Sequence, residues 1–515
     1  MRAYLSSSIA VTCAAVLALP LTLATPAASQ SLGPPATSTG AEPELAGSTQ
    51  SLPLGPLGGG ERALGGASAG AAQGLTRRDV RPFSLVGVVW DDARRELHGT
   101  VEVRTRATGT GLWSDWQAVG THNEEHGADP GTTEGASGGV RGSTAPLWVG
   151  DSDGVEIRVR PELPGLPDAD AHPERYAYPD GEEQPAAYGH LDADAHPATY
   201  GHLDADAHPE TYAYPGSEEP SEAYELPDGE ERPAGRAAED SGLPAGMRIE
   251  LVDPGPEPGS PQDRAGAATR TSAAAEAAGS PADTGLAPTG ATEIPALSRA
   301  GTEATLAAAA AKPYIGPRPK IITRKGWGAD ERLRERGFVY TKSVKAAFVH
   351  HTVTGNRYTC KQAPSILRSI YRYHVKSSGW RDFGYNFAVD KCGNIYEGRA
   401  GGVAKAVLGA HTRGFNTNSM GIAVLGTYGS ASPPAAVVNA VARLTAWKLG
   451  LYGVNPKGTT YLVSGGGNRY KKGKKVKFNT ISGHRDGFAT ECPGKRLYSK
   501  LGTARTTSAK YQGRR

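Results

Sequence analysis

Thr480–Gly494 reads TISGHRDGFATECPG and sets two soft donors, His484 and Cys492, just ahead of a Pro-Gly turn. A third candidate stands far upstream in Ala346–Thr354, AAFVHHTVT. Zinc favours imidazole and thiolate at roughly 2.0–2.3 Å, and a catalytic zinc site keeps three protein ligands with an open position for water. Two histidines and a cysteine make such a set, and a structural zinc site would need a fourth ligand, for which no neighbouring residue offers itself. The apolar, β-branched run around His350 and His351 reads as a strand, on which neighbours point to opposite faces, so only one of the two enters the site. Both faces carry apolar residues, Phe348 beside His350 and Val349 and Val353 beside His351, so periodicity leaves that choice open.

The chain has 515 residues, and its 68 Gly and 38 Pro with only 7% aromatics mean that much of it cannot be packed core. Residues 1–29 read as a secretory signal peptide: Arg2, an apolar run Ile9–Leu23, then small residues at Ala24, Ala27 and Ala28. The run is too short for a membrane span, Cys13 lies inside it without a lipobox, and no later stretch could cross a bilayer. A secreted, extracellular protein is expected, able to associate with a cell wall and without a membrane anchor in its mature form. Export makes the cysteines countable. Cys13 leaves with the signal, Cys492 is a ligand candidate, and Cys360 and Cys392 remain to form a disulfide. That bridge closes a loop of roughly thirty residues, for which chain entropy gives about 3–4 kcal/mol; the alternative is two buried free thiols.

Residues 30–80 are Gly, Ala, Pro, Ser and Leu without a period and read as linker. From 81 to 254 a small all-β domain is expected, with Trp113, Trp116 and a strand in which Val155, Ile157 and Val159 alternate with Glu156, Arg158 and Arg160. Met247, Ile249 and Leu251 alternate in the same way, and the two strands read as one hairpin split by an insertion at about 166–226. The insertion repeats every twelve residues, as Tyr176, Tyr188, Tyr200, Tyr212 and Tyr224 show. A calcium loop of that length needs Gly at its sixth position and Glu at its twelfth, which these units lack. His172, His196 and His208 offer weak metal binding at most, so the insertion reads as a solvated, disordered acidic tract. Residues 255–311 return to Ala, Gly, Pro, Thr and Ser, a second linker.

Residues 312–515 carry 37 Lys and Arg against 8 Asp and Glu, an asymmetry that the whole-chain charge of +3 hides. A basic face marks an anionic partner. The tract Lys471–Lys477, KKGKKVK, matches nucleic-acid patches, but export argues against nucleic acid and leaves anionic wall polymers or a merely solvated surface loop. The acidic insertion joined to this basic part by flexible chain would act as a brake on wall binding. Coarse elements follow: a strand at Lys345–Thr352, a helix at Pro364–Lys376 with Ile366, Ile370 and Tyr373 on one stripe, and a hairpin over Asn386–Glu397. A strand at Met420–Gly426, a long helix at Pro434–Leu449 and a strand at Asn479–Ser482 complete a mixed sheet flanked by helices, an α/β fold.

The pieces FVHHT, FGYNFAVDKCGNIYEGR, GAHTRGFNTNSMGIAVLG and SGHRDGFATECPG, in this order between Ala346 and Gly494, resemble the peptidoglycan recognition proteins and the related phage-type N-acetylmuramoyl-L-alanine amidases. The resemblance implies an α/β amidase domain at 312–515 with His350, His484 and Cys492 as Zn2+ ligands and Tyr385, of the GYNF piece, as catalytic partner. Thr490 falls where phage-type relatives carry a lysine, a departure that leaves the second oxyanion donor open. His411 and Asn416 fall on the loop that in the family faces glycan and peptide, whereas His374 lines the groove or caps the core. The function implied is a secreted zinc hydrolase that cuts the amide between N-acetylmuramic acid and L-alanine in peptidoglycan. The alternative is a non-catalytic peptidoglycan binder on the same fold, which in this family goes with loss of the cysteine ligand.

Overall fold

A computed structural model describes residues 47–57, 72–162, 242–257, 283, 285–306 and 314–515. The first strands are β1 (Ser48–Pro53), β2 (Gly55–Pro56), β3 (Gln73–Trp90), β4 (Gly99–Ala107), β5 (Gln117–Val119), β6 (Gly142–Ser143), β7 (Leu147–Pro161) and β8 (Arg248–Asp253). They pair antiparallel in the order β1-β8-β3-β7-β4-β5, with β2 and β6 also on β3. The alternation read in β7 holds, since Val155, Ile157 and Val159 are buried and pack with Met247, Ile249 and Leu251 in one core. The split hairpin does not. β8 pairs with β3 and β1 instead of β7: Leu85 of β3 faces Trp148 on one side and Val252 on the other. Every residue from Phe83 to Trp90 is buried, so β3 needs a partner along both edges and takes the place between β7 and β8. Local alternation cannot reveal which strand claims that place.

Two boundaries move. β1 and the start of β3 lie inside the stretch read as linker (30–80), because a short edge strand broken by Pro and Gly looks like linker in composition. Within 255–311, β9 (Glu293–Ile294) and a helix at Arg299–Leu306 are ordered parts of the C-terminal body, with Ile294 fully buried. The stretches read as a signal peptide (1–29) and as an acidic insertion (about 166–226) lie outside the described residues.

The second sheet comprises β9, β10 (Ile321–Ile322), β11 (Ala346–His351), β12 (Phe387–Val389), β13 (Ile395–Glu397), β14 (Ser419–Val424) and, beyond a separate hairpin of β15 (Thr459–Val463) and β16 (Lys475–Asn479), β17 (Ile481–Gly483). Its order is β17-β11-β14-β12-β13-β10-β9, with parallel pairs around β11 and β14 and antiparallel pairs at β12-β13 and β9-β10. Parallel strands are covered on both faces, and all six residues of β11 are buried. One face packs Ala347, Val349, Ile422 and Val424 beneath the helix Ala435–Leu451 through Val437, Val441, Leu444 and Trp447. The other face meets the helix Ala363–Arg372 through Ile366, Leu367 and Ile370. Cys360 and Cys392 are bonded, tying the start of that helix to the β12-β13 turn. The lysine tract is an exposed turn over residues 471–474 and enters β16 only at Lys475, where Val476 and Phe478 alternate inward against Phe348 and Phe415 while Lys475 and Lys477 stay exposed.

The helix Ala363–Arg372 also joins the two sheets. Leu85, Val89, Trp148 and Val252 of the β domain share its apolar cluster, and the hydroxyl of Tyr373 donates to the carbonyls of Val88 at 3.2 Å and Thr144 at 3.1 Å. Gly87 is needed here, since a Cβ on it would occupy the Tyr373 ring.

Candidate metal centre

β11 sends its adjacent histidines to opposite faces. His351 shares the face of Ala347 and Val349, and its Nδ1 accepts the N–H of Tyr428 at 3.2 Å. His350 shares the face of Phe348, where its Nδ1 stands 3.8 Å from Cys492 Sγ. β17 runs parallel to β11 and releases the chain at Gly483, so that His484 follows on the same side, its ring centroid 4.4 Å from that of His350. Cys492 returns after the short turn HRDG, with its N–H on Thr490 Oγ1 at 3.1 Å.

A fourth donor joins them from the β domain. His126 lies with its ring 4.6 Å from that of His484 and 5.4 Å from that of His350. One ligand atom from each of His126, His350, His484 and Cys492 lies within 4.8 Å of the others, and all four residues are buried. Both ring nitrogens of His126 and of His484 lack hydrogen-bond partners. Leaving a buried polar atom unpaired costs about 1–3 kcal/mol, so an unpaired nitrogen from each of these two rings in one cluster calls for an unseen partner. Burial and the neighbouring imidazoles hold His350 and His484 well below the usual histidine range, so they are neutral with free lone pairs. Burial pushes the Cys492 thiol up, and a bound dication is the charge that reverses this. Neutral imidazoles with one thiol fit zinc in its preferred N/S coordination.

Around the cluster, Tyr385 immediately precedes β12 and places its ring 5.3 Å from that of His350. Burial, with Cys492 and Glu125 nearby, holds its phenol well above the usual range, so it keeps its proton. Thr412 Oγ1 stands 3.4 Å from His350 Nε2, which leaves Nδ1 facing the cysteine. Asn416 Oδ1 accepts the N–H groups of His411 at 2.7 Å and Thr412 at 3.0 Å and so shapes that loop.

Residues 340–495 match a family described as N-acetylmuramoyl-L-alanine amidase, and residues 35–187 match one described as Rv3811 N-terminal galactose-binding domain-like. Over 184 residues the chain is 30% identical to peptidoglycan-recognition protein SC2 of Drosophila simulans, covering 36% of this chain and 85% of that protein. The chain belongs to the peptidoglycan recognition protein and type 2 amidase family. Among solved structures, wild-type Drosophila PGRP-LB matches at 25% identity with TM-score 0.28, over 36% of this chain and 92% of that one. Peptidoglycan-recognition protein LE, solved in complex with tracheal cytotoxin, matches at 29% identity with TM-score 0.28, over 36% of this chain and 92% of that one. Binding or cleavage of peptidoglycan is the class of function this family brings. Among the described residues no helix is long and apolar enough to cross a membrane.

In this member of the family His350, His484, Cys492 and Tyr385 come together as the sequence implies. Thr490 sits at the rim, where its hydroxyl donates to Glu125 Oε1 at 2.9 Å. His411 is fully buried behind His350, with ring centroids 5.4 Å apart, and a side chain at Gly421 would collide with it. Asn416 is buried beneath Gly127 and Asp129. His374 caps the core, stacked on Trp380 at 4.3 Å, with its Nδ1 accepting the Gly384 N–H at 3.2 Å. Sequence reading missed His126 and found no fourth ligand. The only trace is the polar run HNEEHGAD at 122–129, which lies between two β5-β6 strand ends and has neither strand nor helix period. More than two hundred residues separate it from the other donors, so no spacing rule connects them.

Proposed function

We propose that this protein is a zinc-dependent N-acetylmuramoyl-L-alanine amidase that acts on peptidoglycan outside the cell. The observation that carries this reading is the convergence of His350, His484 and Cys492, with both ring nitrogens of His484 unpartnered, beside the buried phenol of Tyr385. When bound there, zinc supplies Lewis acidity and acidifies a water molecule so that it attacks at neutral pH. The remaining work falls to side chains of this chain. Thr412 orients the His350 imidazole through Nε2 and leaves Nδ1 for the metal, a constraint that tightens metal sites. Tyr385 stays protonated and donates to the carbonyl oxygen of the scissile amide as that oxygen gains charge. Thr490 offers a second donor from the rim once Glu125 releases its hydroxyl. Asn416 fixes the loop carrying His411 and Thr412, and that loop would form the wall facing glycan and peptide. The basic C-terminal part suits an anionic wall, including its anionic polymers.

The test is digestion of purified peptidoglycan by the full chain and by a His126→Ala variant, each with zinc removed and restored. New L-alanine amino termini and free N-acetylmuramic acid ends, read by mass spectrometry, should appear only with zinc. Binding without such ends in both proteins would make this a peptidoglycan binder and not an enzyme.

A further inference from the structure

A catalytic zinc site keeps one position open, whereas four protein ligands make a closed one. The described conformation brings a fourth donor, His126, to the centre. We propose that the segment Gly120–Arg141 is an internal plug: His126 completes the protein ligand set, the acidic residues around it fill the groove, and the chain is latent until this segment withdraws. The proposal rests on the metal reading above and adds to it how the site is governed.

Each wall of the site is taken by a residue of the segment. Glu125 Oε1 accepts the Thr490 hydroxyl at 2.9 Å, and the Glu125 carbonyl accepts the Arg413 N–H at 2.9 Å. Asp129 Oδ1 accepts the Gly414 N–H at 2.9 Å and the Asn416 amide at 2.5 Å. Glu134 forms a two-pronged pair with Arg399, 2.8 Å on each arm. Asn123, Glu125, His126, Asp129 and Glu134 are all buried. Burying that many polar groups is costly unless each is paired; Glu125 Oε1, Asp129 and Glu134 find partners on the C-terminal body, whereas Glu125 Oε2 and both ring nitrogens of His126 have none. The pairing also follows charge, an acidic segment on a basic body.

The segment is built to leave without undoing the fold. The β domain is fastened by apolar packing of Leu85, Val89, Trp148 and Val252 against the helix Ala363–Arg372. No side chain between Gly120 and Arg141 belongs to any apolar cluster of the described residues. Apart from the ring contacts of His126, it is held to the C-terminal body by hydrogen bonds and ion pairs, which water can replace. A wall fragment must displace the same contacts, so its apparent affinity falls by the fraction of chains that are open.

The test uses the full chain loaded with Co2+, whose visible spectrum reports the number and type of ligands, and azide as a probe of an open coordination position. The wild-type spectrum should show a thiolate-ligated four-coordinate ion that azide leaves unchanged. In His126→Ala azide should shift the spectrum, a chelator should strip the metal at least tenfold faster, and peptidoglycan cleavage should rise at least tenfold. The combined variant Asp129→Asn, Glu134→Gln keeps all four donors and should admit azide at intermediate concentrations. A wild-type spectrum that responds to azide as readily as that of His126→Ala overturns the plug, and this measurement does not require any variant to fold. The two readings fail separately. Azide access gained in His126→Ala without any cleavage refutes the amidase and keeps the plug, whereas cleavage by a wild type that already admits azide does the reverse.

Discussion

Removing the Glu134 carboxylate should open the segment rather than unfold the protein. Arg399 makes two of its hydrogen bonds to Glu134 and the others to the carbonyls of Phe383 at 2.7 Å and Leu408 at 3.4 Å. The two side chains are 7% and 5% exposed, so in Glu134→Ala a buried cation loses its counter-charge, a loss worth about 3–5 kcal/mol when the surroundings stay fixed. They need not stay fixed, because withdrawal of the segment lets water reach the guanidinium. The closed-to-open equilibrium then absorbs the cost, a shift of about two to three and a half powers of ten at about 1.4 kcal/mol per tenfold. Hydrogen exchange followed by mass spectrometry should show amides of residues 122–141 exchanging about a hundredfold faster or more, with the helix Ala435–Leu451 unaffected. Unchanged exchange in the segment together with a large drop in melting temperature would refute this reasoning, since the cost would then have fallen on the whole fold.

Substituting His350, His484 or Cys492 by Ala should remove most bound zinc, measured by elemental analysis, because the ligands carry the affinity; unchanged metal content in Cys492→Ala would sink the assignment. Tyr385→Phe, made in the His126→Ala background, should keep its zinc and lose about 2.7–4 kcal/mol of barrier stabilisation, a turnover loss of about 10²–10³. Equal turnover would return Tyr385 to a packing role. Burial raises the Glu397 carboxyl to about 8 from 4.5, against the opposing pull of Arg324. The folded state therefore holds a proton that the unfolded state gives up, so this contribution is full below about pH 4.5 and is lost as pH rises toward about 8. Glu397→Gln should flatten the fall in melting temperature between about pH 5 and about pH 8, and parallel curves for both proteins would count against it. Deleting residues 166–226 should tighten binding to whole walls at low salt, with the gain fading as salt screens exposed charge over a Debye length of about 8 Å at physiological strength; binding unchanged at every salt concentration would make the insertion an inert spacer.

Much of the C-terminal body was legible because its signals are local. A strand buried on both faces reads as an unbroken apolar run, as in Ala346–His351, and Ile366 and Ile370 mark a helix by their spacing. Donor identity was legible as well, since imidazole and thiolate are soft ligands wherever they stand in a chain. The order of strands in the β domain was not, because β3 claims both β7 and β8 through contacts that alternation does not encode. Composition likewise hid β1 and β9, short edge strands that gain order only from the neighbours they pair with. Periodicity left His350 and His351 equal and the family resemblance singled out His350; the helix Ala435–Leu451, covering the other face of β11, accounts for their different surroundings. His126 needed still more. Sequence singled out three of the four candidate donors and the reaction class they suit; only the tertiary structure could show that a polar segment of the β domain reaches them, because coordination depends on distance in space and not on distance along the chain.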